Sequence, residues 1–255
     1  MIEAALDDTM NQSPQAHVAA WRSGIRAHPG LAALRAFNAR LASGEPLAPA
    51  AARAFIASLY VFNRSTPAGI AQLAGRWADA LMLAHPFDAH AIAASVLDSA
   101  VDEFGLAGTR PHVQLFRDFG AHWDLAPSAI LDPAHAVPAA RELGARVEAW
   151  YRTAPLTEAL AIHFVSEETS AEEFAGWYPI FPDSEYTRVH ALLEPGHSSD
   201  AGAALARHLA EQTDAGAHEA VVTGAIETYL ALYRAMFEQI MASARMAEPG
   251  LRATC

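Results

Sequence analysis

Apolar residues recur through most of this chain at intervals of three and four, between breaks marked by proline and glycine, and that spacing points to helices. Phe55, Leu59 and Phe62 form one such stripe, and Ile70, Leu73, Trp77 and Leu81 form a second. Ile226, Tyr229, Tyr233, Phe237 and Ile240 form a third. At about 3.6 residues per turn each set falls on a single helix face, the face that packs. No segment shows the apolar–polar alternation of a half-buried strand. The expected fold class is all-α, a bundle in which each helix buries one stripe.

The breaks divide the chain. His28-Pro29-Gly30 and Ser43-Gly44-Glu45-Pro46 separate the first helices, which start near Ala16. Further helices are expected over about 48–63, 66–84, 87–105, 112–123 and 138–153, with others from Leu156, from Glu185 to Gln212, and over about 215–246. Residues 124–138, rich in Pro, Asp and His, read as a linker between two halves of the bundle. A loose arm over 1–15, one helical domain over 16–246 and a tail over 247–255 complete the division.

Charge and composition remove several function classes. The formal charge of −12 and the scattered arginines argue against a nucleic-acid partner. All 17 basic residues are arginine, and a chain without lysine cannot form a Schiff base, attach pyridoxal phosphate or build a P-loop. The single cysteine, Cys255, cannot form an intrachain disulfide or a thiolate-clustered metal site. No apolar run approaches the about 18 residues of a membrane span, and the acidic start lacks a secretory pattern, so a soluble, cytoplasmic protein is expected.

One stretch carries chemistry. His190, Glu194 and His197 lie at i, i+4 and i+7, which stacks two imidazoles and a carboxylate on one helix face. Pro195 removes a backbone donor inside this stretch, and a kink or local widening is expected there. Other helices also carry acids on packing faces. Glu103 continues the stripe of Ile92, Val96 and Ser99, and His112 starts the next helix. Glu167 shares a face with Leu156, Leu160, His163 and Phe174, so it is favoured over Glu168 as an inward acid; Glu168, Glu172 and Glu173 are expected to turn outward. His163 reads as a hydrogen-bonded core histidine. Glu103, His112, Glu167, His190, Glu194 and His197 together offer three carboxylates and three imidazoles, a donor set suited to two iron ions rather than to the closed four-ligand set of structural zinc. Phe55, Tyr60, Phe62, Trp77, Phe164 and Trp177 are aromatic residues available for a pocket wall or for plain core. Tyr60, Phe62, His163 and Phe164 are the pocket candidates.

Asp102-Glu103-Phe104-Gly105, followed by His112-Val-Gln-Leu115-Phe116, and the His190-xxx-Glu194-xx-His197 triad make the chain resemble the haem-oxygenase-like diiron oxidase and oxygenase family. The resemblance extends loosely from Ala16 to Ile240. It implies a haem-oxygenase-like helical bundle, in which Glu103 and His112 are ligands, Glu167 or Glu168 is a later carboxylate, and the triad completes both metal positions. The chain departs from the family in having Glu194 where aspartate is usual and Pro195-Gly196 within the triad. The loop between Glu103 and His112 is also one residue short. By this resemblance two ferrous ions and dioxygen are the cofactor and co-substrate, and N-oxygenation of an amine or amino-acid-derived metabolite is the first expected activity. Oxidative C–C cleavage, decarboxylation or desaturation by the same site is the alternative. A small-molecule substrate and an external electron donor are the expected partners, with a homodimer left open. Two rivals share an all-helical fold: a metal-free enzyme of the thiaminase or quinone-synthase kind, and a helical ligand-binding protein without catalysis.

Overall fold

A computed structural model describes residues 13–246, apart from 107 and 109. Residues 1–12, most of the expected arm, and the expected tail, 247–255, lie outside the described residues. The elements are α1 (Pro14–Ala27), α2 (Pro29–Ala42), α3 (Pro49–Asn63), α4 (Thr66–Leu81), α5 (Ala89–Glu103) and α6 (His112–Gly120). They continue with α7 (Pro127–Leu131), α8 (Pro138–Thr153), α9 (Leu156–Trp177), α10 (Glu185–Ala210) and α11 (Ala215–Met246). No strand occurs among the described residues, so the expected all-α bundle is observed. None of the described helices is long and apolar enough to cross a membrane.

Proline sets most of the starts. It stands at the first or second position of α1, α2, α3, α4, α7 and α8, where its missing N–H costs no helical hydrogen bond and its fixed φ suits the first turn. Helix α1 begins at Pro14 rather than near Ala16, because the Ser13 side chain accepts a hydrogen bond from the Ala16 amide and caps it. The expected linker over 124–138 also proves to be structured. It holds α7 and a 3₁₀ turn, Pro133–His135, which pack on α3 with Ile130 buried, and the Val137 amide donates to the Ser58 hydroxyl.

Helix α10 runs unbroken through Pro195. Pro195 and Gly196 both lie on its exposed side, away from the donors carried on the buried face. Helix α9 is the hub of the fold. It packs against α10 most extensively, and also against α11, α8, α2, α4 and α1, so most of its surface is buried. A single hydrophobic cluster joins residues from α1 to α11.

Close approach between helices is visible at Gly144 of α8, where an added Cβ would lie 2.5 Å from the Val61 carbonyl oxygen of α3. Backbone cannot retreat as a side chain can. Gly24 of α1 is exposed, and a Cβ added there would face open space. Gly144→Ala is therefore expected to cost about 1–3 kcal/mol through overpacking, whereas Gly24→Ala should gain about 0.5–1 kcal/mol of helix propensity. Thermal melts of the two variants are expected to shift in opposite directions.

Candidate metal centre

The sequence-predicted donors meet in the interior as two groups. Glu103, His112 and His190 form one, and Glu167, Glu194 and His197 the other, and within each group one ligand atom per residue lies within 4.8 Å of the rest. The triad on α10 is thus divided. Seven residues of helix rise about 10 Å, so His190 serves one group while Glu194 and His197, a turn or two further on, serve the second.

Local structure places each donor. Glu103 is the last residue of α5, which ends in a Schellman motif: Gly105 takes φ 74°, its amide donates to the Asp102 carbonyl, and the Leu106 amide donates to that of Val101. His112 opens α6, and its Nδ1 is 3.0 Å from Glu103 Oε1 without hydrogen-bond alignment. His190 lies flat against Phe174, with centroids 4.1 Å apart, and its Nε2 is 3.6 Å from Glu103 Oε1. Its Nδ1–H donates to the Tyr186 carbonyl at 2.8 Å, leaving Nε2 with a free lone pair toward Glu103.

The second group repeats this logic with the ring reversed. His197 Nε2–H donates to Asp102 Oδ2 at 2.9 Å, which turns the Nδ1 lone pair toward Glu167 and Glu194, each at 3.9 Å. A carboxylate behind a ligating imidazole fixes its tautomer and raises its basicity. Asp102 is the functional residue that sequence reasoning passed over. Its signal was its place beside Glu103, on the adjoining face of α5.

Glu168 is not part of either group. It is buried rather than turned outward, but it faces α1, where Arg22 donates to it at 2.5 Å and the Ser198 hydroxyl donates to the same oxygen. Glu173 is also buried, accepting from the Tyr233 hydroxyl at 2.6 Å, while Glu172 is partly exposed and pairs with Arg35. Both corrections have one cause: α9 is packed by six helices and keeps only a narrow strip near Glu172 and Ala175 toward solvent, which Glu168 and Glu173 do not share. His163 is fully buried, yet neither ring nitrogen has a hydrogen-bond partner; Nδ1 lies 3.4 Å from Glu167 Oε1. The expected hydrogen bond of a core histidine is missing there.

Two cavities adjoin the donors. The inner one, about 60 Å³, is walled by Glu103, His190, Glu167, Glu194 and His197, with Ser99, Ser166 and Ser170 around them. The outer one, about 270 Å³, is lined by Glu103 and His112 together with Leu59, Tyr60, Phe104 and Phe116. Asn63, Glu103 and Tyr186 belong to both walls. Of the expected pocket residues, Phe62 lines the inner cavity and Tyr60 the outer. His163 and Phe164 line neither: Phe164 is fully buried beneath the Arg22 guanidinium. Phe55, Trp77 and Trp177 are plain core.

No protein-family model matches this chain, and no curated protein does.

The electrostatics of the two groups differ. Burial pushes the Glu103 carboxyl up, but the His112 and His190 rings beside it outweigh that and hold the group well below the usual carboxylate range. Burial raises Glu194, and the neighbouring Glu167 raises it further; burial likewise raises Glu167, against the pull of His197. Two buried carboxylates facing each other cannot both ionise unless a cation joins them. Glu194 Oε2, both nitrogens of His112 and the Ser99 hydroxyl are buried with no hydrogen-bond partner. Orphaned lone pairs of this kind cost about 1–3 kcal/mol each. Shared cations would satisfy the carboxylate and imidazole atoms among them.

Glu173 lies one turn or more beyond the donors, and burial pushes its carboxyl up to about 8 against a weaker pull from Tyr233. A raised folded-state pKa gives stability that is present in full below about 4.5 and lost as pH climbs through about 8. Glu173→Gln is accordingly expected to match the parent chain at pH 5 and to exceed it in stability at pH 9. Urea melts of the chelator-treated protein at the two pH values provide the check.

Proposed function

We propose that the chain is a non-haem diiron, dioxygen-activating oxygenase or oxidase acting on a small metabolite. The observation that carries this reading is the pair of contiguous donor groups, whose ring nitrogens are turned by Tyr186 and Asp102 to face carboxylate oxygens. The donor chemistry fits iron. Two imidazoles with one carboxylate, as in Glu103, His112 and His190, is a set associated with ferrous iron and open coordination positions. One imidazole with two carboxylates, as in Glu167, Glu194 and His197, resembles the carboxylate-rich half of helical-bundle di-metal sites. Neither group makes the closed tetrahedral set of a structural zinc ion.

Ferrous ions held there would supply electrons and open positions for the reduction of dioxygen. The remaining work belongs to the protein. Tyr186 and Asp102 hold the imidazoles in ligating tautomers, and Phe174 and Tyr186 brace the His190 ring. Ser99, Ser166 and Ser170 give the inner cavity hydroxyls that can relay protons to a reduced oxygen, while the apolar wall of the outer cavity limits water around the reacting group. The resemblance in the segments around Glu103–His112 and His190–His197 favours N-oxygenation of an amine-bearing or amino-acid-derived substrate, with an external donor returning the electrons.

Anaerobic addition of ferrous iron to the metal-free protein, followed by metal analysis and oxygen uptake, tests the reading. Two irons per chain and iron-dependent oxygen consumption are expected. Absence of iron binding would leave a metal-free helical enzyme or a ligand-binding protein. His197→Ala and Glu103→Ala are each expected to impair loading while far-ultraviolet circular dichroism stays unchanged. Asp102→Ala, which removes only the support behind His197, should weaken binding about 10–100-fold.

A further inference from the structure

The turn joining α3 to α4 presents polar groups to both cavities and pairs none of their side chains. Arg64 lines the outer cavity, and Asn63 lines both, and neither side chain has an ion-pair or hydrogen-bond partner among the described residues. The Thr66 hydroxyl, on the inner wall, is buried and equally without a partner. Arginines are the permanent side-chain cations of this chain, and nearly all of the described ones meet a carboxylate or a carbonyl. Of the arginines over 13–243, Arg53, Arg64 and Arg188 are the exceptions, and of these Arg64 stands on the wall that reaches the donor groups.

The rest of that wall sharpens the chemistry. Glu103, the acid it contains, faces His112 and His190 and makes no ion pair with Arg64. The cavity therefore offers an unanswered positive charge beyond contact reach of the donor group, with Leu59, Phe104 and Phe116 supplying apolar surface. A guanidinium is matched by the planar fork of a carboxylate. One guanidinium also balances one carboxylate charge, whereas a phosphate monoester would leave part of its charge unmet.

We propose that the substrate is a small amphipathic carboxylic acid whose carboxylate is held by Arg64, with its apolar body lying along Phe104 and Phe116 and its oxidised position facing the Glu103–His112–His190 group. This assignment rests on the diiron reading above for the reaction and on the outer cavity alone for binding. The acid group is then an anchor, and oxidation falls elsewhere on the molecule. Glu167, Glu194 and His197 do not line the outer cavity, so the two-histidine group is the one that confronts the substrate.

Calorimetric titration with 3-phenylpropionate and octanoate, each beside its neutral primary amide, tests the assignment in both iron-loaded and iron-free protein under anaerobic conditions. The acids are expected to bind at least tenfold more tightly than the amides. Arg64→Gln should abolish that preference, and Arg64→Lys should retain part of it; Arg64 is exposed, so folding is not at stake. Equal binding of acid and amide, binding of neither, or a preference that survives Arg64→Gln would overturn the assignment, the last by placing the carboxylate on the metals instead. An Arg64-dependent preference in a chain that takes up no iron would uphold the anion site and remove the diiron reading. Iron loading without the preference would do the reverse.

Discussion

Three carboxylates and three imidazoles sit together inside a helical core, and that arrangement has to be compensated. An ionised carboxylate in such surroundings is costly unless a counter-charge or a set of donors meets it. Glu103 has His112 and His190 beside it. Glu167 and Glu194 have mainly each other and His197, and burial raises both carboxyl groups. Without a cation this second group must hold extra protons; with one, the same oxygens and nitrogens become ligands. The helices around the cavity are arranged so that the donors can converge while the surrounding core stays apolar.

The supporting framework explains how that convergence is held. Helix α9 is enclosed by its neighbours and delivers Glu167 to the centre, while α10 carries three donors along about two turns of one face. Helix α5 stops at Glu103 because Gly105 adopts a left-handed conformation that closes its last turn, and α6 restarts with His112 directly across the gap. The rings are then fixed from behind, by a backbone carbonyl for His190 and by Asp102 for His197. Position and tautomer come from separate parts of the structure, so a change such as the loss of Asp102 should alter metal affinity without disturbing the helices.

Much of this was legible in the sequence where one face of a helix differs from the other. Helix starts followed proline, and the stripe through Ile92, Val96 and Ser99 led to Glu103, a partly exposed acid that meets His112 and His190. The spacing of His190, Glu194 and His197 showed that they share a face, although their division between two groups depends on rise along the axis and on what faces them. Periodicity failed on α9. A helix buried over most of its surface offers little contrast between faces, so Glu168 and Glu173 were misjudged as outward when one is paired with Arg22 and the other with Tyr233. Pro195 does not end the helix, and it stands on the exposed side of α10. Asp102 and Arg64 carried no periodic signal, since their meaning comes from partners, or the lack of them, across the fold.

The central claim is that the two donor groups bind a pair of iron ions in the interior. Anomalous diffraction at the iron absorption edge, from crystals prepared anaerobically with ferrous iron, tests it most directly. The account predicts two peaks per chain, one within bonding reach of Glu103, His112 and His190 and the other within reach of Glu167, Glu194 and His197. Iron found only at surface carboxylates, or a bundle interior with no anomalous signal, would contradict it.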